Sequence, residues 1–88
     1  MYAAYRKNMD KNIARHVARV AFRSAANLTD LVPFLKEHCQ ETEYKMFLKA
    51  LAKASATINL EVSQKVFAAY PELEQEFNET INKYGQLI

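Results

Sequence analysis

Apolar residues recur every three or four positions along most of this chain of 88 residues. Such spacing places the apolar side chains on one face of an α-helix, so the pattern predicts a protein built from amphipathic helices. The first helix is predicted from Tyr2 to Ala26, with Asn27 ending it in a left-handed conformation. Its apolar stripe, the expected core face, consists of Tyr5, Met9, Ile13, Val17, Val20 and Ala21.

The second predicted helix is short and runs from Leu31 to about Cys39. Asp30 precedes it and is expected to act as its N-cap, because an aspartate side chain accepts hydrogen bonds from the free N–H groups of a first turn. Pro33 falls within that first turn, where the missing N–H of a proline costs least. The segment 31–39 therefore has the start signals of a helix but little length.

The third predicted helix is the longest, beginning near Thr42 and keeping one apolar phase to Tyr70. Its weak point is Thr57 to Asn59, where three residues of modest helix propensity follow one another. The sequence leaves open whether the helix is continuous there. Its apolar stripe consists of Tyr44, Phe47, Leu48, Leu51, Ala54, Ile58, Val62, Val66 and Ala69.

A fourth helix is predicted from Pro71 to a stop at Gly85, because proline suits a first helical position and glycine a C-terminal cap. With one Gly and two Pro, the chain lacks the turn residues of a sheet protein. The predicted fold is all-α, a compact bundle of four helices, one of them short, packed orthogonally or up-down as a single domain over residues 1–88. The expected core includes Leu73, Phe77, Ile81 and Tyr84 of the fourth helix, and the aromatic residues Phe34, Phe47 and Phe67.

Charge is distributed unevenly along the chain. Residues 1–26 carry six cations against one anion, whereas the remaining residues carry six lysines against nine acids. Five of the first cations recur every fourth residue and so follow one side of the first helix. This stripe, the cationic ladder, consists of Lys7, Lys11, Arg15, Arg19 and Arg23, and a second cationic stripe in the third helix consists of Lys45, Lys49 and Lys53.

The cationic stripes admit two interpretations. They could form a surface for an anionic partner such as nucleic acid, since clustered lysine and arginine side chains bind phosphate groups. Alternatively, the ladder could be neutralised within the fold by acids of the fourth helix, namely Glu72, Glu76 and Glu79. We favour internal pairing or simple solvation, because most charge runs on helices serve solubility.

One feature of the sequence supports the nucleic-acid interpretation and another counts against it. A short helix followed by a long one over residues 31–58 has the outline of a helix-turn-helix motif. However, Glu41 and Glu43 would stand at the start of the reading helix, where DNA contacts call for cations or neutral donors. A nucleic-acid-associated protein therefore stays the alternative hypothesis.

The preferred hypothesis is a small non-enzymatic interaction or regulatory module that binds a protein partner or itself. The third helix is longer than its short neighbour can cover, so part of its apolar face is expected to remain exposed. We therefore expect a homodimer in which this face is buried. The candidate self-association residues are Tyr44, Leu48, Leu51 and Ile58.

Catalytic and metal chemistry find little support. His38 and Cys39 are adjacent, but neighbouring side chains on a helix diverge by about 100° and cannot form a hydrogen-bonded pair. No His or Glu spacing suits a zinc helix and no Gly-rich loop could hold a phosphate, so no catalytic residue, metal site or cofactor is expected. A single cysteine fits a cytoplasmic location, and no apolar run reaches the length of a membrane span, so integral membrane association is not expected.

Overall fold

The computed structural model describes residues 9–87, and between these limits all regular secondary structure is helical. The predicted all-α bundle is confirmed. Because α3, a π-helical turn and α4 follow one another without interruption, the four predicted helical segments are all present. The elements are α1 (Lys11–Thr29), α2 (Leu31–His38), α3 (Glu41–Ile58), the π turn (Asn59–Ser63), α4 (Gln64–Ala69) and α5 (Pro71–Tyr84).

Helix α1 begins with a side-chain cap. The carboxylate of Asp10 accepts a hydrogen bond from the backbone N–H of Ile13 at 3.0 Å, which satisfies one of the free donors of the first turn. The predicted start at Tyr2, together with Tyr5 and Lys7, lies outside the described residues. The structure therefore shows the part of the first helix that begins after this cap.

The predicted boundary between α1 and α2 needs correction. Asn27 remains helical, and α1 continues to Thr29, whose hydroxyl donates to the carbonyl of Ala26 at 2.9 Å. Asp30 does precede α2, but its side chain caps nothing because its backbone is itself helical, with φ −67° and ψ −15°. An N-cap needs an extended backbone to aim its side chain at the following N–H groups. The two helices consequently follow each other through a single turn residue.

The helix does not break at Thr57 to Asn59 but continues through a π-helical turn that begins at Asn59. The hydroxyl of Thr57 donates a hydrogen bond to the Lys53 carbonyl at 2.8 Å, and the π turn follows immediately. A π turn places an additional residue in the helical circuit, so every later side chain points in a new direction. Val66 of α4 is buried as the uninterrupted pattern predicts, whereas Ala69, which the same pattern would place inside, is exposed.

The core lies where α1, α4, α5 and the C-terminal Leu87 meet, and it differs from the predicted one on α1. The buried α1 residues are alanines, whereas Ile13 is 52 % exposed and Val20 is 49 % exposed. Small side chains allow close approach of helix axes, and the Ser55 hydroxyl reaches the Ala25 carbonyl at 3.2 Å. The buried cluster consists of Ala14, Ala18, Val66, Leu73, Phe77 and Leu87.

The predicted aromatic core is half right. Phe67 and Phe77 pack edge to face with ring centroids 5.6 Å apart. Phe34 and Phe47, however, are 56 % and 43 % exposed. The eight residues of α2 and the eighteen of α3 include no buried residue, because no further helix lies over them.

Helix α5 begins and ends as predicted. Pro71 occupies its first position, and Gly85 ends it in the left-handed conformation with φ 76°, which glycine adopts without steric cost. The turn at Gly85 directs Leu87 back into the core. Tyr84 is a correction, because it is exposed rather than part of the buried face of α5.

The helices form a flat and elongated arrangement, with extents of 49 × 37 × 14 Å. The radius of gyration is 16.0 Å, whereas a compact chain of this length would have a radius of about 12 Å. Within residues 9–87, none of the helices combines the length and the apolar character needed to cross a bilayer.

Candidate interaction surfaces

The first two described members of the cationic ladder are paired with acids of α5. Lys11 Nζ lies 3.1 Å from a Glu72 carboxylate oxygen. Arg15 donates two hydrogen bonds to Glu76, from Nε at 2.7 Å and from Nη2 at 3.1 Å. These contacts connect the first turns of α1 to the first turns of α5. Glu79, the third acid expected in this role, accepts a hydrogen bond from Gln75 instead.

The pairing changes the ionisation of the acids on α5. The pKa of Glu76 lies below its usual value of 4.5, mainly because Arg15 donates a hydrogen bond to the ionised carboxylate. The pKa of Glu72 is also lowered, first by a hydrogen bond from its own backbone N–H and then by Lys11. The hydrogen bond from Arg15 to Glu76 also raises the pKa of Arg15. Both acids are therefore charged at neutral pH, and they pair with Lys11 and Arg15 within the fold.

The remaining ladder residues behave differently. The Nε atom of Arg19 is buried and has no hydrogen-bond partner among the residues that the structure describes, and its charge helps to lower the pKa of Glu76. Arg23 is exposed and borders a hollow of about 300 Å³ that it shares with Asp30 and Gln86. The ladder is thus divided between paired, half-buried and exposed cations and does not form one free stripe.

The second cationic stripe is more accessible. Lys45, Lys49 and Lys53 are all exposed, and Lys45 lies 3.2 Å from Glu41, one helical turn earlier. A pair this exposed contributes little to stability, because both charges remain hydrated. The stripe is the cationic surface that the fold leaves most open.

The four candidate self-association residues do not share one environment. Tyr44, Leu51 and Ile58 are half-buried on the side of α3 that packs within the fold, whereas Leu48 is exposed. Their contact with a second copy stays a prediction. The more exposed apolar side chains of α2 and α3 are Leu31, Phe34, Met46, Phe47 and Leu48.

An apolar groove that the sequence did not predict runs between α1 and the segment formed by α3, the π turn and α4. It consists of two adjoining hollows of about 270 Å³ and 510 Å³, and Val17 and Val62 line both. The lining includes four residues of the apolar stripe that we expected to face the core, namely Met9, Val17, Val20 and Ala21. The apolar residues between Met9 and Val20 were therefore visible in the sequence. Periodicity alone could not show that this surface would stay uncovered. The other lining residues include Met9, Val20, Ser24, Ile58, Val66 and Ala69.

Cys39 is partly buried at the end of α2. Burial and a hydrogen bond with the Glu43 carboxylate raise the pKa of its thiol. Among residues 9–87, no three His, Cys, Asp or Glu side chains form a cluster that could hold a metal ion.

Comparison of the chain with models of known protein families, with curated proteins and with solved structures finds no match. The functional argument therefore depends on the surfaces described above. Two apolar surfaces dominate the described part of the molecule, namely the outer side of α2 and α3 and the groove beside α1.

Proposed function

We propose that this protein is a non-enzymatic interaction module that binds a protein partner or a second copy of itself through exposed apolar surface. The observation that carries the proposal is the number of large apolar side chains left outside the core. Four of the eight buried apolar residues in the described part of the chain are alanines, whereas ten large apolar side chains are exposed. Contiguous exposed apolar surface marks interaction sites in water-soluble folds.

The surface area of the chain supports the same proposal. The accessible surface is 6653 Å², whereas a compact monomer of this mass exposes about 5,300 Å². The excess is about 1,400 Å² by the same relation, and it reflects the flat shape of the molecule. A flat arrangement of helices leaves more apolar side chains exposed than a compact one, and exposed apolar surface is what the proposal needs.

The alternative of nucleic-acid binding is weakened by the ion pairs of the ladder. Lys11 and Arg15 contact Glu72 and Glu76, and releasing these cations for phosphate would leave two acids beside the backbone of a nucleic acid. The exposed second stripe is what supports the alternative, since Lys49 and Lys53 are free to meet phosphate groups.

The state of Cys39, the one cysteine of the chain, supports the proposal of a non-enzymatic module. Cys39 has a raised thiol pKa, so the thiol remains protonated at neutral pH, and a thiol is a far weaker nucleophile than a thiolate. The ring of His38 packs against Phe34 with centroids 4.5 Å apart. A reducing location such as the cytoplasm is part of the proposal, because it suits an unpaired cysteine.

Capture of binding proteins by two matched variants tests the proposal. The apolar variant carries Met46→Gln and Phe47→Gln, and the cationic variant carries Lys49→Gln and Lys53→Gln, all at exposed positions of α3. We expect the unmodified protein to retain specific proteins from native lysate after nuclease treatment. The apolar variant should lose them and the cationic variant should keep them.

The opposite pattern would favour the alternative. If nuclease removes everything that is bound, and the cationic variant fails to bind while the apolar variant succeeds, the protein associates with nucleic acid. Circular dichroism of both variants serves as the control for folding.

A further inference from the structure

We infer that Arg19 and Arg23 form a binding site for two carboxylate groups that an acidic helix of a partner protein carries one helical turn apart. The inference rests on the proposed function in one respect, that the partner is a protein. It goes further by assigning a polar site to α1, where the proposed function uses apolar side chains of α2 and α3, and by naming the chemistry that this site recognises.

The alignment of α1 with α5 is fixed by contacts at the start of both helices. The hydroxyl of Tyr70, just before α5, donates a hydrogen bond to the carbonyl of Met9, just before α1, at 2.7 Å, and these residues are 61 positions apart. Arg15 has the same separation from its acid on α5, and so has Lys11. The two helices therefore run in the same direction with a constant register.

This register places Thr80 beside Arg19 and Tyr84 beside Arg23, so the acids that pair with the ladder stop one rung too early. Neither residue offers a carboxylate. The hydroxyl of Thr80 donates to the carbonyl of Glu76 at 3.0 Å, so its proton is already used within α5. The second half of the ladder thus lacks the acids that the first half has.

Both arginines are left without an acid in the described part of the chain. Arg19 is half-buried, and its Nε atom is buried with no hydrogen-bond partner among residues 9–87. Buried donors in folded proteins are almost always hydrogen-bonded, so an unpartnered one indicates a group still to be bound. Arg23 is exposed one turn later. Glu79, the acid next to Thr80 in the sequence, accepts a hydrogen bond from Gln75 instead.

A hollow of about 300 Å³ gives a ligand access to Arg23. It lies between the last turns of α1 and the turn at Gly85, and its lining combines apolar and polar side chains. Phe22 and Ile81 can contact the methylene groups of an acidic side chain, while the amide of Gln86 can donate hydrogen bonds to a carboxylate. The surroundings of Arg23 therefore suit an acidic side chain.

The spacing of the two arginines favours carboxylates that are carried by a helix. Side chains four residues apart on a helix have Cβ atoms about 5–6 Å apart, and acids at the same spacing on a second helix match them. Glu72 and Glu76 show this within the molecule, because they are four residues apart and both pair with the ladder. A guanidinium group also binds a carboxylate through two parallel hydrogen bonds, as Arg15 does with Glu76.

Acids at both ends limit the length of the ligand. Glu76 is close enough to Arg19 for this charge to lower its pKa, and Asp30 lines the hollow together with Arg23. A phosphate polymer that continued in both directions would pass these two carboxylates, and contact between like charges is unfavourable. A single turn of an acidic helix fits between them, which favours a protein ligand over nucleic acid.

Nuclear magnetic resonance of the arginine Nε–H groups in the full chain tests the inference. The probe is an alanine-rich helical peptide with two glutamates four residues apart, and the control peptide has glutamines at both positions. We expect the probe to shift the Arg19 and Arg23 signals saturably, with a dissociation constant on the order of 1 mM. The Arg15 signal should hardly move, because this side chain is already bound to Glu76. The control peptide should bind at least about tenfold more weakly, because it lacks both charges.

Two variants test the site from the side of the protein. Thr80→Glu supplies the missing acid from α5, so it should weaken binding of the probe by about fivefold or more, whereas Thr80→Gln should bind like the unmodified protein. Arg23→Gln removes one of the two cations at an exposed position and should weaken binding by about tenfold. This variant keeps the test independent of whether the fold tolerates an acid at position 80.

Three results would overturn the inference. They are the absence of a shift at Arg19 and Arg23, equal affinity for the two peptides, and unchanged binding of the probe by Arg23→Gln. A single-stranded oligonucleotide provides a further comparison, because a shift with the oligonucleotide but not with the probe would make the ligand a phosphate. The proposed function is tested separately by capture through Met46 and Phe47, so the two can fail independently.

Discussion

Both ends of this molecule are built from amphipathic helices, but they bury their apolar side chains to very different degrees. At one end, α1 packs with α4, α5 and Leu87, and Leu73 and Phe77 are almost fully enclosed. At the other end, α2 and the first half of α3 bury no residue. The apolar periodicity of the helices is similar at both ends. The difference arises because α5 lies over the first end, whereas nothing in the described residues lies over the second.

This contrast shows that having an apolar face and burying it are two different properties of a helix. An apolar stripe indicates which face of a helix is suited to burial, but that face is buried only if a neighbouring element packs against it. An uncovered helix is marginal in water, because most helix stability in proteins comes from packing. We therefore expect the open end to be the less stable part of the fold, and under the proposed function it is the part that a partner would cover.

The sharpest test of the contrast is a pair of phenylalanine truncations. Phe77 is 3 % exposed, and Phe77→Ala should lower the free energy of unfolding by about 3–5 kcal/mol, since it removes buried area and leaves a cavity. Phe47 is 43 % exposed, and Phe47→Ala should cost about 1 kcal/mol, near half the value of full burial with no cavity. Denaturant unfolding followed by circular dichroism measures both. Equal losses would show that the open end is covered.

Amide hydrogen exchange should show the same division along the chain. We expect the amides of Met46 to Ala50 in α3 to exchange at least tenfold faster than those of Gln75 to Glu79 in α5, a difference of about 1.4 kcal/mol in opening free energy. The physical reason is that α3 can open at its first turns without exposing buried side chains. A binding partner should slow exchange in α3 and leave α5 unchanged. Uniform protection of the free protein would contradict the proposed division.

The sequence was sufficient for the helices and for several of their ends. Pro71 and Gly85 act through local backbone preferences, which do not depend on the rest of the fold, and both were placed correctly. Pairing of the ladder with Glu72 and Glu76 was also anticipated, because opposite charges at helical spacing on two amphipathic helices have few other ways to meet.

What the sequence could not show depends on tertiary contact. On α1, the stripe of Ile13 and Val20 and the neighbouring stripe of Ala14 and Ala18 are both apolar and both periodic. Packing of α4, α5 and Leu87 against α1 selects the alanines, and no local rule anticipates that choice. The π turn after Ile58 is similar, because its residues have no distinctive composition and its effect appears only in the direction of later side chains.

Gly85 permits a test of how the covered end is closed. Gly85→Ala should lower the free energy of unfolding by about 1 kcal/mol, because alanine is strained at a positive φ. A Cβ at this position would meet no atom within 4 Å, so the cost should come from the backbone alone. Gly85→Asn should cost less, since asparagine tolerates the left-handed region. Equal losses for the two variants would indicate that side-chain crowding, and not φ, is limiting.

The smallest expected effect concerns the ion pair that connects α1 to α5 at the covered end. The pKa of Glu76 is lowered in the folded protein by the hydrogen bond from Arg15, so the ionised carboxylate stabilises the fold. A lowered pKa gives a contribution that is fully present at neutral pH and is lost as the pH falls below the usual value of 4.5 and through the lowered value. Glu76→Gln should therefore destabilise the protein slightly at pH 7, less than Gly85→Ala does, because the pair is largely hydrated.

The difference between the unmodified protein and Glu76→Gln should be constant from neutral pH to about pH 5 and should vanish on further acidification. It should also shrink in high salt, which screens exposed charges. Denaturant unfolding at a series of pH values measures it, and Glu74→Gln is the matched control, an exposed acid on the same helix with no ion pair among residues 9–87. If Glu76→Gln instead stabilises the protein at pH 7 and this gain disappears on acidification, the ionised carboxylate is destabilising, and the ion pair would then be no argument against the anionic partner of the alternative hypothesis.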